Sequence, residues 1–133
     1  MLEFLIILGA GVAAWMAGAV WYGLLGSKWV KALGTTKQAL ARPKGLPSAV
    51  PYIISFFADV VLAWVLALVL TGTFSSGVPA ALAWAAVLWM GFVLAPLATM
   101  NSYAKRDPML TLIDAGHWLL ALMAAAVVLG LFG

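Results

Sequence analysis

Four long apolar runs occupy most of this chain of 133 residues and restrict its possible folds more than any other feature. A bilayer core about 30 Å thick is crossed by about 20 apolar residues in a helix. Because lipid offers no hydrogen bonds, a spanning segment must satisfy its own backbone groups, as an α-helix does. We therefore expect an all-α integral membrane four-helix bundle, with one transmembrane domain covering residues 1–133. The predicted helices 1 to 4 span about residues 2–25, 50–70, 78–100 and 109–131.

The composition supports the same class of protein. The chain is 66% hydrophobic and 8% charged, against about 45–50% apolar and 25% charged in soluble domains. A soluble domain of this length would leave about a third of its unfolded-chain surface in water, which excludes an aqueous fold for so apolar a sequence. There is no cysteine, so disulfides and cysteine-ligated metals are excluded.

All seven positively charged residues fall in two of the connections between helices. Because cytoplasmic loops of membrane proteins carry the excess of Lys and Arg, the distribution predicts that these loops are cytoplasmic and that both termini lie outside. The positive charge then needs no nucleic acid as a partner. The residues are Lys28, Lys31, Lys37, Arg42 and Lys44 between helices 1 and 2, and Lys105 and Arg106 between helices 3 and 4.

The connection between helices 1 and 2 begins with an amphipathic segment. Over residues 27–34, Trp29 lies on an apolar side while Lys28 and Lys31 can reach lipid phosphates, a pattern that predicts a short interfacial helix ended by Gly34. We interpret Trp21, Trp29, Lys28 and Lys31 as interfacial anchors. Two interpretations of the loop stay open: a solvated loop held at the headgroups, or a recognition surface for an anionic lipid or a partner.

Two further local signals lie in the rest of this connection and in the connection between helices 2 and 3. Thr35 with Gln38 resembles a capping box that would begin a further helical turn before Arg42. The segment 71–77, rich in Gly and Ser, predicts a short outer turn that makes helices 2 and 3 antiparallel neighbours.

Only three ionisable residues lie well inside the apolar runs: Asp59, Asp114 and His117. Charged groups in hydrocarbon are costly, so such residues are the first candidates for function. If helices 2 and 4 begin near Pro51 and Pro108, the rise of 1.5 Å per residue puts Asp59, His117 and Asp114 at depths of about 12, 13 and 9 Å. We therefore predict one shared polar layer.

Two other helices contribute features at the same predicted depth. Pro96 in helix 3 cannot donate to the carbonyl of Phe92, which predicts a kink there. Gly18 in helix 1 permits close approach of a neighbour. On helix 4, Asp114 and His117 are three residues apart and share one side.

The polar layer supports two hypotheses from different classes. In the structural hypothesis, Asp114 pairs with His117, Asp59 bonds to Ser55, Tyr52 or the backbone, and the layer fixes helix packing in a structural or accessory protein. In the alternative, an oligomeric proton-linked transporter or ion channel uses Asp59, Asp114 and His117. We expect no enzyme activity, no cofactor and no metal, because one histidine without a second imidazole does not make a zinc centre. A single haem or chlorophyll ligand stays open as a weaker alternative.

Three stretches resemble the bacterial domain-of-unknown-function 1761 family over nearly the whole chain. They are AVWYGLLGSKWVKALG at residues 19–34, NSYAKRDP at 101–108 and LIDAGHWLLAL at 112–122. The resemblance implies a compact four-helix inner (plasma) membrane protein without an established activity. It places on motif positions Trp21, Tyr22, Trp29, Gly34, Asn101, Tyr103, Arg106, Asp114 and Gly116. Relatives often have tyrosine at the position of His117, and Asp59 lies outside the motif.

From these residues we predict a supporting polar cluster around Asp114. The cluster comprises Tyr22, Asn101, Tyr103 and Arg106, and Asp114 is expected to accept hydrogen bonds from Tyr22, Asn101 or Arg106. As partners we expect membrane lipids, and either further copies of the chain in a homo-oligomer or the subunits of a larger membrane complex.

Overall fold

The computed structural model describes residues 1–133 and consists of helices and short connections, without strands. The fold consists mainly of four long helices, and each is long and apolar enough to cross a membrane. They are α1 (Leu2–Leu33), α2 (Leu46–Gly72), α3 (Val78–Tyr103) and α4 (Pro108–Phe132).

The helix ends follow from local sequence signals. Gly34 ends α1 in the left-handed conformation (φ 74°), and its N–H bonds to the carbonyls of Val30 and Lys31, as glycine commonly does after a helix. At the start of α4, the Asp107 side chain accepts a hydrogen bond of 2.9 Å from the Met109 N–H. Pro108 takes the first helical position, where a missing N–H costs nothing.

The segment between helices 1 and 2 differs from the sequence-based expectation. Residues 27–33 are the last two turns of α1 rather than a separate helix, because the single Gly26 costs only about 1 kcal/mol in a helix and no proline interrupts it. A one-turn helix follows at Lys37–Leu40. Its N-cap is Thr36, not Thr35, and the Thr36 hydroxyl accepts from the Ala39 N–H at 3.2 Å.

The start of α2 also lies earlier than predicted. The helix begins at Leu46 instead of near residue 50, with Pro47 in its first turn and Pro51 inside it. Proline in the first turn fits a helix start, and here that role belongs to Pro47. As a result, every residue of α2 lies about five positions, or about 7.5 Å, further from the start of the helix than the depth estimate from Pro51 assumed.

Helix α4 occupies the centre of the bundle. It packs most extensively on α1 and next on α3, while α2 packs mainly on α1. Helices α2 and α3 touch each other only sparsely although a short turn joins them. Helix α3 therefore packs mainly on α4 and not on α2, the helix that precedes it in sequence.

Small side chains allow the helices to approach closely. The fully buried residues are mostly alanines: Ala10, Ala14, Ala63, Ala81, Ala85, Ala121, Ala125 and Ala126. A Cβ added at Gly11 would lie 2.8 Å from the Val60 Cα of α2, and one at Gly130 would lie 2.5 Å from the Val78 Cα of α3. Contact of this kind is typical of helix association in lipid.

The bundle has two chemically different ends. Glu3 of α1 and Gly133 line one cavity, so both termini lie at what we term the terminal end. Lys28 of α1 and Asp107 before α4 line another cavity at the opposite, basic end. The connections at the basic end contain all the lysines and arginines that α1 does not carry.

Candidate functional site

The predicted hydrogen bond between Tyr22 and Asp114 is present at the crossing of α1 and α4. The Tyr22 hydroxyl donates to Asp114 Oδ1, and the two residues are partly buried. A carboxylate that accepts from a hydroxyl is stabilised more than by a bond between neutral groups. This contact joins α1 to α4.

His117 lies one turn after Asp114 on α4, further from the basic end, and it also packs against α1. A Cβ at Gly18 would lie 2.5 Å from His117 Nε2, so only glycine fits opposite the imidazole. The imidazole centroid is 4.7 Å from the Tyr22 ring and 4.7 Å from the Trp118 ring. His117 is 8% exposed, and its Nδ1 is buried without a hydrogen-bond partner.

Two tryptophans donate hydrogen bonds to carbonyls of α4 from neighbouring helices. Trp21 of α1 donates to the Ile113 carbonyl at 2.9 Å, and Trp89 of α3 donates to the Ala115 carbonyl at 2.7 Å. A carbonyl oxygen has a second lone pair and can accept such a bond in addition to its helical one. These bonds join α1 and α3 to the same short segment of α4.

Gly116 makes room for the Trp21 ring. A Cβ at Gly116 would lie 2.6 Å from Trp21 Cζ2, so any side chain there would displace the indole. We call Trp21, Tyr22, Trp89, Asp114 and His117 the α4 cluster.

A π-helical turn in α3 adjoins the cluster. It covers Met90–Leu94 directly after Trp89, and the Ala95 N–H bonds to the Met90 carbonyl five residues back. Pro96 follows; proline lacks an N–H and crowds the preceding turn, and the wider π turn is one known way for a helix to adjust there. The irregularity that Pro96 predicts is therefore present, as a π turn.

Asp59 does not join the α4 cluster, which corrects the prediction of one shared polar layer. Its neighbour Val60 lies against Gly11, whereas His117 lies against Gly18. These glycines are seven residues apart on α1, or about 10 Å along the helix. The reason is the earlier start of α2 at Leu46, which moves Asp59 away from the basic end.

The bonds expected for the three ionisable residues also differ in part. Asp59 is 1% exposed, and its Oδ1 has no hydrogen-bond partner. The expected partner Ser55 instead accepts from Trp15 Nε1 at 3.1 Å and donates to the Tyr52 carbonyl at 3.0 Å. No ion pair joins Asp114 to His117, because the contact of Asp114 is with Tyr22.

The remaining members of the predicted supporting cluster lie elsewhere. Asn101 Nδ2 donates to Thr111 Oγ1 at 2.9 Å, which joins α3 to the first turn of α4. Tyr103 is 87% exposed, and the Arg106 side chain is exposed without a hydrogen bond. Asp114 faces α1, so the connection between α3 and α4 does not reach it.

The four predicted anchors occupy the last turns of α1. Trp29 packs edge-on against Tyr22 at 5.7 Å between ring centroids, while Lys28 and Lys31 are exposed and line the cavity at the basic end. Trp21 belongs to the α1–α4 contact. Sequence analysis missed the role of Trp89, since no local pattern tells which carbonyl of a distant helix an indole will reach.

The geometry thus defines an all-helical protein with four apolar helices, compatible with a multi-pass membrane protein, in which a polar and aromatic cluster joins three of them. No three His, Cys, Asp or Glu side chains lie close enough together to hold a metal ion. The family model described as "Protein of unknown function (DUF1761)" matches residues 5–130, and the chain belongs to this family. No curated protein and no solved structure matches the chain.

Proposed function

We propose that this chain is a multi-pass inner-membrane protein with a structural or accessory role and no enzyme activity, in which the α4 cluster fixes the helix arrangement. The observation that carries the proposal is the Tyr22 to Asp114 hydrogen bond between α1 and α4. On either side of Asp114 in the sequence of α4, the carbonyls of Ile113 and Ala115 accept hydrogen bonds from indole N–H groups of α1 and α3.

The polar groups of this cluster can select one arrangement of the helices in lipid. Apolar surfaces alone select a helix partner poorly in hydrocarbon, where packing, small residues and interhelical hydrogen bonds drive association. A rotated α1 would leave the Asp114 carboxyl and the Tyr22 hydroxyl without partners, which is costly in an apolar surrounding. The cluster therefore favours one register of α1 on α4.

The proposed orientation places the basic end in the cytoplasm and both termini outside. It rests on the distribution of positive charge, since the terminal end carries no lysine or arginine. The 32 residues of α1 extend about 48 Å, longer than a hydrocarbon core of about 30 Å. Because Lys28 and Lys31 lie in the last turns, we place the excess length, with Trp29, at the inner membrane surface.

A double-mutant cycle tests the structural role. Tyr22→Phe, Asp114→Leu and the double variant, in which both bonding groups are removed, are purified in detergent, and their unfolding free energies are measured by titration with a denaturing detergent. Interhelical hydrogen bonds of this kind contribute about 0.6–2 kcal/mol. We expect each single variant to lose about this amount and the double variant to lose less than their sum.

Tyr103→Phe provides the matched control, because the exposed Tyr103 hydroxyl has no partner. Strict additivity of the Tyr22 and Asp114 effects, or equal losses in the control, would remove the basis of the proposal.

The second candidate, an oligomeric proton-linked transporter or ion channel, has one supporting observation. Asp59 Oδ1 and His117 Nδ1 are buried polar atoms without partners, and such groups in a membrane often mark ion or proton pathways. Gly11 and Gly18, which Val60 and His117 face, lie about 10 Å apart along α1. This offset makes a direct relay between Asp59 and His117 unfavourable. We therefore place this candidate second.

The accessory role implies a partner. We propose that the protein associates with membrane lipids and with either further copies of itself or a larger membrane complex. Purification in mild detergent distinguishes the two options. A second protein in stoichiometric amount supports the role of an accessory subunit, whereas a homo-oligomer without a second protein counts against that role.

A further inference from the structure

A groove between α1 and α4 at the basic end combines charged side chains with an apolar wall. Its volume is about 570 Å³. One side is a single face of α1, which includes Trp21, Leu25 and Lys28, residues spaced three to four apart as on one helix surface. The other side is the beginning of α4, which includes Leu112 and Ile113.

The groove changes from apolar to charged along its length. At the end nearest the α4 cluster, the Trp21 indole is held by its bond to the Ile113 carbonyl, and Ile113 itself is buried. At the other end, Lys28 and Lys31 are exposed and lie one turn apart on α1. An elongated molecule with an anionic head and an apolar tail matches this order.

We propose that the groove binds one anionic phospholipid. The phosphodiester lies between the ammonium groups of Lys28 and Lys31, and an acyl chain follows Leu25 and Leu112 toward Trp21. Both lysines donate hydrogen bonds, and an ammonium group is a common phosphate ligand in proteins. This site goes beyond the structural role proposed above and does not depend on it.

The charges of the groove are matched by one phosphodiester. Besides the two lysines, the groove contains the Asp107 carboxylate, which accepts from the Met109 N–H and caps α4. Two ammonium groups and one carboxylate leave one positive charge, and a phosphodiester carries one negative charge.

The apolar wall favours a lipid over free phosphate. Six of the nine lining residues are hydrophobic, and inorganic phosphate would leave them uncovered. Leu112 is 65% exposed and continues the wall outward, so an acyl chain in the groove stays in contact with the surrounding bilayer.

Native mass spectrometry of the full chain in detergent tests the site, with phosphatidylglycerol and phosphatidylcholine as the two probes. We expect one tightly bound phosphatidylglycerol and weaker binding of phosphatidylcholine. Each lysine near an anionic lipid surface contributes enough for the double variant Lys28→Gln/Lys31→Gln to weaken phosphatidylglycerol binding by about tenfold or more. Lys28→Arg/Lys31→Arg keeps the charge and is expected to retain binding.

The matched control is Lys37→Gln/Lys44→Gln, which removes the same charge from the connection that follows α1, outside the groove. Equal loss in the control overturns the proposal, because binding would then follow net charge alone.

Leu112→Asn tests the apolar wall and is expected to weaken phosphatidylglycerol binding without changing the charge; unchanged binding overturns the proposed acyl path. Competition by millimolar inorganic phosphate as effective as that by added lipid would assign the groove to free phosphate and also overturn the proposal.

Discussion

The Tyr22 hydroxyl of α1 donates a hydrogen bond to Asp114 of α4 although the two residues are 92 positions apart in sequence. The bond lies where α1 crosses α4, near Gly18 and Gly116, each of which faces an aromatic ring of the other helix. The hydrogen bond and the tight packing thus occur at the same place. A change in either is expected to disturb the other.

The glycines at this crossing provide the first prediction. We expect Gly18→Ala and Gly116→Ala each to destabilise the protein by about 1–3 kcal/mol, because the new methyl group must displace a packed ring. For Gly18 that ring is the imidazole of His117, and for Gly116 it is the indole of Trp21. Unfolding free energies in mixed micelles measure the effect.

Gly23→Ala is the control for both variants. Gly23 lies in the same helix α1, and a Cβ there would have no atom within 4 Å. Alanine in an exposed helical position is expected to stabilise by about 0.5–1 kcal/mol relative to glycine. The prediction is wrong if all three substitutions change stability in the same direction by similar amounts.

The second prediction concerns the bond between α3 and α4. Trp89→Phe keeps an aromatic ring and removes the N–H that bonds to the Ala115 carbonyl. The expected loss is about 0.5–1.5 kcal/mol, the ordinary net contribution of one hydrogen bond. Trp64→Phe is the comparison, since Trp64 is half exposed and donates no hydrogen bond; an equal effect of both substitutions would show that the indole N–H of Trp89 contributes nothing.

The third prediction concerns orientation, which the absence of native cysteine makes simple to measure. Single cysteines are introduced as Lys37→Cys at the basic end and Ser76→Cys at the terminal end, both at exposed positions. In sealed right-side-out vesicles, a membrane-impermeant maleimide is expected to label residue 76 directly and residue 37 only after permeabilisation. The opposite pattern would place the basic end outside and contradict the proposed topology.

The helices were predictable from sequence because each apolar run exceeds the length needed to span a bilayer. The residues at which the helices begin and end were less predictable. Pro51 resembles a helix start, but Pro47 takes that position and α2 begins at Leu46. This difference of about one turn is the reason that the depth of Asp59 was wrong. An error at one helix end thus moves every residue of the helix.

Contacts of the site could be predicted where the residues belong to a sequence motif. Contacts that depend only on how the helices pack could not be predicted. The Tyr22 to Asp114 bond was among those expected for the resemblance to the family, and it is present. The partner of Asn101 is Thr111 rather than Asp114, because the choice depends on which side of α4 faces α3. The bond of Trp89 depends likewise on the rotation of α3, which has no signature along the chain.

The last prediction separates the structural role from transport. Purified protein is reconstituted into liposomes, and proton and monovalent cation fluxes are followed with a pH-sensitive dye and an ion-selective electrode. Under the structural role, we expect wild type, Asp59→Asn and Asp114→Asn to give the same flux as empty vesicles, although Asp114→Asn also weakens the hydrogen bond from Tyr22. Glu3→Gln serves as the control, since it removes an exposed carboxyl group outside the α4 cluster. A flux present in wild type and in Glu3→Gln but lost in Asp59→Asn would favour the transporter, because Asp59 has no structural bond to lose.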